Sequence, residues 1–286
     1  MGRALYEAFP TVRGLFDTAN SILGYDLARL CFDGPAEKLN LTIHAQPALF
    51  VSSLAALERA RADHSDAVSR CEAAAGLSLG EYTALVFAGG LTFEEGLRLV
   101  QRRGEAMQAA ASEAPSGMVS VLGLELDQVQ TVCDAARIDG EVLQVANMLC
   151  PGNIVVSGHR HSCDRVEAAA SQAGAMRVFR LAVAGAFHTP LMRSATTRLS
   201  QVLSGAPFAP LRIPVVSNVD AEIHGEIGDF RHLLLDQLCA PVRWHESMRK
   251  LLDQGFDTFY EIGPGRVLKG LLKRIDKSAS CEVIME

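Results

Sequence analysis

The feature that most restricts the fold is a change of rhythm in the middle of the chain. Between residues 116 and 183 the apolar pattern predicts a strand at 118–124, a helix at 127–136 and strands at 142–146 and 153–157. A helix at 163–173 and a last strand at 176–183 follow. This β-α-β-β-α-β order can close on itself as a small ferredoxin-like unit. The flanking segments have a different texture. Upstream, helices are expected at 48–61, 81–88 and 93–111, with a short strand somewhere within 67–75. Downstream, helices at 191–203, 230–238, 245–254 and 266–275 alternate with strands at 213–217, 256–262 and 281–284. Such alternation implies a parallel sheet covered on both faces. The expected organisation is a large α/β domain of residues 1–115 and 188–286, interrupted by an inserted ferredoxin-like subdomain at 116–187.

The bulk chemistry excludes several classes. A formal net charge of −6 over 286 residues offers no basic surface for nucleic acid. The seven cysteines are odd in number and scattered, with no C-x-x-C pair. That pattern suits a reducing cytosol better than a disulfide framework or a zinc ribbon. No apolar run reaches the length of a membrane span. The segment MGRALYEAFP carries charges and a proline and lacks the apolar core of a signal peptide. The expectation is a cytoplasmic protein without membrane contact, bound metal or redox cofactor.

Gly76-Leu77-Ser78-Leu79-Gly80 fits the G-x-S-x-G nucleophile elbow. It follows the short expected strand and precedes the helix at 81–88. A sharp strand-to-helix turn strains the serine backbone, so its close neighbours are expected to lack side chains. The hydroxyl then stands at a helix N-terminus, where the Leu79 N–H can donate to a developing oxyanion. A serine nucleophile needs a general base, and eight histidines are available. His159 and His161 have a liganding spacing but no evident carboxylate or cysteine partner, and they read as solvated. His188 stands out through its setting, Gly185-Ala186-Phe187-His188-Thr189-Pro190.

At this point the chain resembles the malonyl-CoA:acyl carrier protein transacylases and the acyltransferase domains of polyketide synthases. Ordered matches run from end to end: Gly34-Pro35-Ala36-Glu37, Gln46-Pro47-Ala48, Ser78-Leu79-Gly80-Glu81-Tyr82, Arg103-Gly104, the Gly-Ala-Phe-His stretch, Pro214-Val215-Val216-Ser217-Asn218, and Glu261-Ile262-Gly263-Pro264-Gly265. The resemblance implies a hydrolase-like α/β domain with a ferredoxin-like insert, the arrangement read above without it. It implies that Ser78 is acylated by malonyl-CoA and passes the acyl group to the phosphopantetheine thiol of holo acyl carrier protein. His188 matches the base, and Gln237 the residue whose backbone carbonyl orients it. Arg103 matches the arginine that grips the malonyl carboxylate, a pairing suited to a planar guanidinium. Arg102, its neighbour, faces another way on the helix and reads as solvated. Phe187 resembles the residue that crowds an α-methyl branch in malonyl-selective members. Met107 and Asn147 resemble residues that line the cleft. The basic run Arg266, Lys269, Lys273, Arg274 and Lys277 in the C-terminal helical segment offers either a docking patch for an acidic carrier or a plain solvated helix face.

Two departures from the family pattern bear on activity. Members open with a strand and a Gly-Gln-Gly loop whose glutamine helps form the oxyanion hole, and Met1-Gly2 aligns just beyond that loop. The expectation is a reading frame that continues upstream of Met1. Leu77 stands where the family usually has histidine, so substrate contact or local packing should differ there. The alternatives to a transacylase are an acyl-thioester hydrolase using the same Ser–His pair and a non-catalytic relative. Arg103 and Phe187 favour the first reading.

Overall fold

The computed structural model describes residues 1–285. The chain opens with helices α1 (Arg3–Ala8), α2 (Pro10–Leu23), α3 (Leu27–Asp33), α4 (Ala36–Leu39), α5 (Thr42–Asp63) and α6 (Ser65–Ser69). Strand β1 (Ala74–Ala75) then leads into α7 (Gly80–Phe87) and α8 (Phe93–Ala111). The central unit consists of β2 (Ser116–Leu122), α9 (Leu126–Ala136), β3 (Leu143–Cys150), β4 (Asn153–His159), α10 (Arg160–Gln172) and β5 (Arg177–Arg180). The chain closes with α11 (Arg193–Leu203), β6 (Val215–Val216), β7 (Ile223–His224), α12 (Phe230–Asp236), α13 (Trp244–Asp253), β8 (Thr258–Ile262), α14 (Val267–Ile275) and β9 (Ser280–Ile284).

The central unit forms a four-stranded antiparallel sheet in the order β3-β4-β2-β5. In chain order this places its second strand beside its third and its first beside its fourth, the ferredoxin-like arrangement. Val119, Val121, Val145, Ile154 and Val156 alternate onto the face that packs against α9 and α10, where Val129, Val132, Val166 and Ala170 meet them. The opposite face carries Met118, Ala146 and Val155 and meets Phe187. The unit is tied to the rest of the fold by main-chain bonds from β3: Met148 N–H donates to the Val242 carbonyl, and Val242 N–H donates to that of Ala146 (2.9 and 2.8 Å).

The large part is mixed α/β, and its sheet is shorter and less uniform than the sequence suggests. β1 runs parallel to β6 (Ala74 opposite Val215, Ala75 opposite Val216), and β8 runs parallel to β9 over five residue pairs. β7, absent from the expected list, adds an antiparallel edge to β6. β1 and β6 are two-residue strands for local reasons. Gly76 begins the elbow immediately after β1, and Asn218, two residues beyond β6, turns its side chain into that elbow. The expected strand within 67–75 shrinks accordingly, and helix α6 takes its first half. The helix expected at 48–61 runs from Thr42 to Asp63, with Pro47 inside it as its sixth residue, where the missing N–H forgoes one helical bond.

The boundaries of α8 coincide with the expected 93–111. Thr92 caps it by accepting from the Glu95 N–H at 3.2 Å, and Glu94 and Glu95 occupy the positive N-terminal turn. Its buried stripe runs Gly96-Leu97, Leu99-Val100, Arg103-Gly104, Ala106-Met107 and Ala110-Ala111. At Gly104 the helix passes so close to α5 that an added Cβ would stand 3.1 Å from the Thr42 carbonyl oxygen. Arg103 therefore lies on the face that packs inward, in a stripe that is otherwise apolar or small.

Candidate active site

The elbow is built from both sides. Ser78 has φ 51°, a left-handed conformation that costs a non-glycine residue about 1–2 kcal/mol. Asn218 staples it in place. The Asn218 Oδ1 accepts from the Ser78 N–H (2.6 Å), and its Nδ2 donates to the Gly76 carbonyl (2.7 Å). Only one of the two glycines is sterically required. A Cβ on Gly76 would stand 1.9 Å from the Gly80 carbonyl carbon, whereas one on Gly80 would meet nothing within 4 Å. The expectation that both neighbours must lack side chains is corrected to Gly76 alone. Leu79 forms the N-cap of α7. Leu77 packs among Ala75, Val216 and Trp244 in an apolar cluster.

His188 is 4% exposed and also left-handed, at φ 61°. Its Nε2 lies 3.0 Å from Ser78 Oγ, and its Nδ1 lies 2.7 Å from the Gln237 backbone oxygen. A carbonyl can only accept, so Nδ1 carries the proton and Nε2 is free to accept from the serine hydroxyl. Burial, reinforced by the positive charge of Arg103, lowers the His188 pKa to about 4, against a smaller opposing effect of the Gln237 carbonyl. The imidazole is thus neutral at physiological pH.

Arg103 is 1% exposed, and its guanidinium reaches the same point. Nη2 donates to Ser78 Oγ (3.0 Å) and to Gln237 Oε1 (2.8 Å), while Nη1 donates to Gln46 Oε1 (2.7 Å). The group also lies over the Tyr82 ring, 5.4 Å from its centroid. Its Nε has no partner, and no carboxylate lies within ion-pair distance among the described residues. A buried cation surrounded by neutral acceptors is poised for an anion. Arg102, by contrast, is exposed and bonded to Glu105.

Of the other residues singled out in the sequence, Met107 joins the cluster through Gln46, whose Nε2 donates to Met107 Sδ at 3.4 Å. Phe187 is half-buried and packs against Met118, Ala146 and Val155. Asn147 is buried on β3 at a register shift and pairs with Val242, with no hydrogen bond to the serine cluster. β3 reaches that cluster instead through Gln144, whose Nε2 donates to the His188 backbone oxygen at 3.3 Å. His161 is not without a carboxylate partner, since Glu141 lies 3.2 Å away on the surface. Among the described residues no group of His, Cys, Asp or Glu is arranged to hold a metal, and no helix is long and apolar enough to cross a membrane.

Three groups at the centre of the site were given no role in the sequence reading: Gln46, Glu81 and Asn218. Glu81 is completely buried. Its Oε2 accepts from Gln237 Nε2 (2.7 Å) and from the Asn218 N–H (3.2 Å), while Gln237 Nε2 also donates to the Ser78 carbonyl (3.0 Å). Burial raises the Glu81 pKa to about 7, against the opposing effects of these hydrogen bonds and of Arg103. Each of the three sat inside a segment of the family match, and that was the only signal the sequence held.

Comparisons with known proteins bear on the chain as a whole. Residues 1–284 match the family model described as acyl transferase domain. The chain is 40% identical to malonyl CoA-acyl carrier protein transacylase of Bacillus subtilis over 277 residues, 97% of this chain and 86% of that protein. It is also 40% identical to the mitochondrial malonyl-CoA-acyl carrier protein transacylase of Homo sapiens over 290 residues, 98% of this chain and 74% of that protein. Among solved structures, a malonyl-transacylase in complex with its type II polyketide synthase acyl-carrier protein superposes with TM-score 0.94 at 38% identity, covering 100% of this chain and 91% of that one. An acyl-carrier-protein S-malonyltransferase from Bartonella henselae gives TM-score 0.95 at 33% identity, with 100% and 91% covered.

Proposed function

We propose, from the premise that this chain belongs to the acyl transferase domain family, that it moves malonyl groups from coenzyme A to an acyl carrier protein through a malonyl ester on Ser78. One observation carries the reading: a single hydroxyl lies 3.0 Å from an unprotonated imidazole nitrogen and 3.0 Å from a buried guanidinium with no carboxylate in direct contact among the described residues. The first can take a proton, and the second can hold a carboxylate.

In the first half-reaction Ser78 Oγ attacks the thioester carbonyl while His188 Nε2 takes its proton. The tetrahedral oxyanion faces the N-terminus of α7. The Ser78 N–H is already committed to Asn218, so the Leu79 N–H is the nearer available donor. Collapse breaks the C–S bond, and His188 returns the proton to the departing thiolate. In the second half-reaction the phosphopantetheine thiol of the carrier attacks the ester, with His188 first taking the thiol proton and then returning it to Ser78. The Gln237 carbonyl, a neutral acceptor, steadies the imidazolium in both directions. Arg103 discriminates between acyl groups: a malonyl carboxylate completes its donors, whereas acetyl leaves the cation unpaired. Met107, Phe187 and Asn147 line the acyl end, with the Phe187 ring against any α-branch. The reaction needs no metal and no cofactor beyond the phosphopantetheine that the acceptor carries.

The exposed positive charges of α14 and its flanks, Arg266, Lys269, Lys273, Arg274 and Lys277, suit an acidic carrier. We take residues 116–187 as the inserted subdomain and the cytoplasm as the compartment. The test is to incubate the protein with acyl-labelled malonyl-CoA and then add holo carrier protein. Label should appear on Ser78, move to the carrier, and be absent from Ser78→Ala. Label released to water identifies a hydrolase instead, and no label on Ser78 refutes the enzymatic reading.

A further inference from the structure

Gln237 holds the site together with both ends of its side chain, and its amide has only one useful orientation. Oε1 must face Arg103, which can only donate, and Nε2 must face the Ser78 carbonyl. A reversed amide would set two donors against each other at the guanidinium and two acceptors against each other at Ser78. The second donor of Nε2 goes to Glu81 Oε2 at 2.7 Å, the shortest bond this amide makes. Glu81 is fully buried, approaches no cation closely among the described residues, and is positioned by the Asn218 N–H. The chemistry described above gives it no part.

We infer that Glu81 is a positioning residue that sets the Gln237 amide, and through it the direction in which Arg103 presents its free donors to the acyl carboxylate. The chain of contacts is Glu81 Oε2 to Gln237 Nε2, then Gln237 Oε1 to Arg103 Nη2, then Arg103 Nη2 to Ser78 Oγ. Arg103 donates along both arms, to Ser78 and to Gln237, and Gln237 donates on to Glu81, so each link has a fixed direction. The reach of the acceptor matters, more than its charge. The consequence falls most on the substrate's carboxylate: acyl selectivity depends on Glu81, while His188 is oriented by the Gln237 backbone carbonyl and the Ser78 backbone is held by the Asn218 side chain, contacts that do not run through the Gln237 amide. The inference rests on the malonyl-transfer reading of the site.

Two variants separate reach from charge. Glu81→Gln keeps the length and an acceptor oxygen but removes the charge. Glu81→Asp keeps the charge but withdraws the acceptor by one methylene. For Glu81→Asp the expected result is a rise in KM for malonyl-CoA of about ten- to a hundredfold, with acetyl transfer from acetyl-CoA changed by less than about threefold. Glu81→Gln should stay within about threefold of wild type for both substrates. If Glu81→Asp lowers malonyl and acetyl transfer in parallel, or Glu81→Gln loses as much selectivity as Glu81→Asp, the inference is wrong. A wild-type protein that transfers no malonyl refutes the functional reading, and a measurement without turnover then still decides this one. In 15N-labelled protein the Gln237 side-chain amide protons should be protected from solvent exchange in wild type and Glu81→Gln, and exposed in Glu81→Asp. Free exchange in wild type overturns the inference whatever the activity.

Discussion

Asn218→Ala should damage this protein twice, because one side chain fastens both sides of the elbow. The substitution removes the acceptor of the Ser78 N–H (2.6 Å) and the donor to the Gly76 carbonyl (2.7 Å). Asn218 is 1% exposed, so water does not readily replace either bond. Leaving a buried backbone group unsatisfied costs about 1–3 kcal/mol. The two sites are neighbours and will relax together, so the total should fall near 2–5 kcal/mol rather than at the upper sum. For a chain of 286 residues that corresponds to a fall in Tm of roughly 3–8 °C. Released from the staple, the left-handed Ser78 can relax toward an ordinary conformation and carry Oγ away from His188. A displacement of about 1 Å lowers the rate by about 100-fold. Thermal melting followed by circular dichroism reads the first effect, and single-turnover labelling of Ser78 by malonyl-CoA reads the second, well below the variant's Tm. A variant that melts within about 2 °C of wild type and acylates Ser78 at the wild-type rate would show that the elbow holds its shape without Asn218.

Gly76→Ala and Gly80→Ala should differ sharply: the first forces a Cβ into the backbone of Gly80 and abolishes Ser78 labelling, while the second enters open space in α7 and leaves labelling within about twofold. Equal losses in the two variants would refute the one-sided steric argument. Arg103→Met should cost at least about 100-fold in kcat/KM for malonyl-CoA by removing a charge-assisted pairing, with acetyl-CoA affected far less in parallel steady-state assays. With the His188 pKa lowered to about 4, Ser78 acylation should hold its plateau down to about pH 5, and an acid limb near 6.5 in the rate profile would contradict it. Glu81, with its folded pKa raised to about 7, holds its proton more tightly in the folded than in the unfolded state. Wild type should therefore gain stability over Glu81→Gln as pH falls from 7 to about 4.5, by about 3 kcal/mol in all, measured by urea unfolding at each pH.

The parts of this molecule that were legible in the sequence are those whose signal is local. The β-α-β-β-α-β order of the central unit follows from apolar alternation within each short segment. The 93–111 helix shows in its amphipathic repeat, and the structure adds the Thr92 cap and the acidic first turn that fix its start. Ser78 is visible because Gly76 must be glycine for a reason confined to five residues. The main sheet was harder. β1 and β6 are two residues long, too short for a period to register, and just past β6 Asn218 turns toward a partner 140 residues earlier in the chain.

That last contact explains why Asn218 had no role assigned before the structure. A polar residue at the end of a strand reads as a loop residue unless the pairing of β1 with β6 is already known. Only that pairing brings Asn218 alongside Ser78. Glu81 is hidden for a related reason. A glutamate in the first turn of a helix suits the helix dipole and would ordinarily face water. Here α7 packs that turn inward, so that the same charge meets the Gln237 amide instead. Arg103 shows the reverse case. Its role came from the family match alone, and the structure places it on the buried stripe of α8 with positions 96, 99, 100, 106 and 107. A charged side chain on an otherwise apolar or small stripe must either find partners inside or shift the helix. Arg103 found Gln46, Gln237 and Ser78, none of them anionic. Neutral acceptors solvate a buried guanidinium, and Glu81 lies beyond Gln237 rather than against it, so a directly paired anion is supplied by what the site binds. The selectivity proposed for this protein is thus a consequence of how α8 is packed.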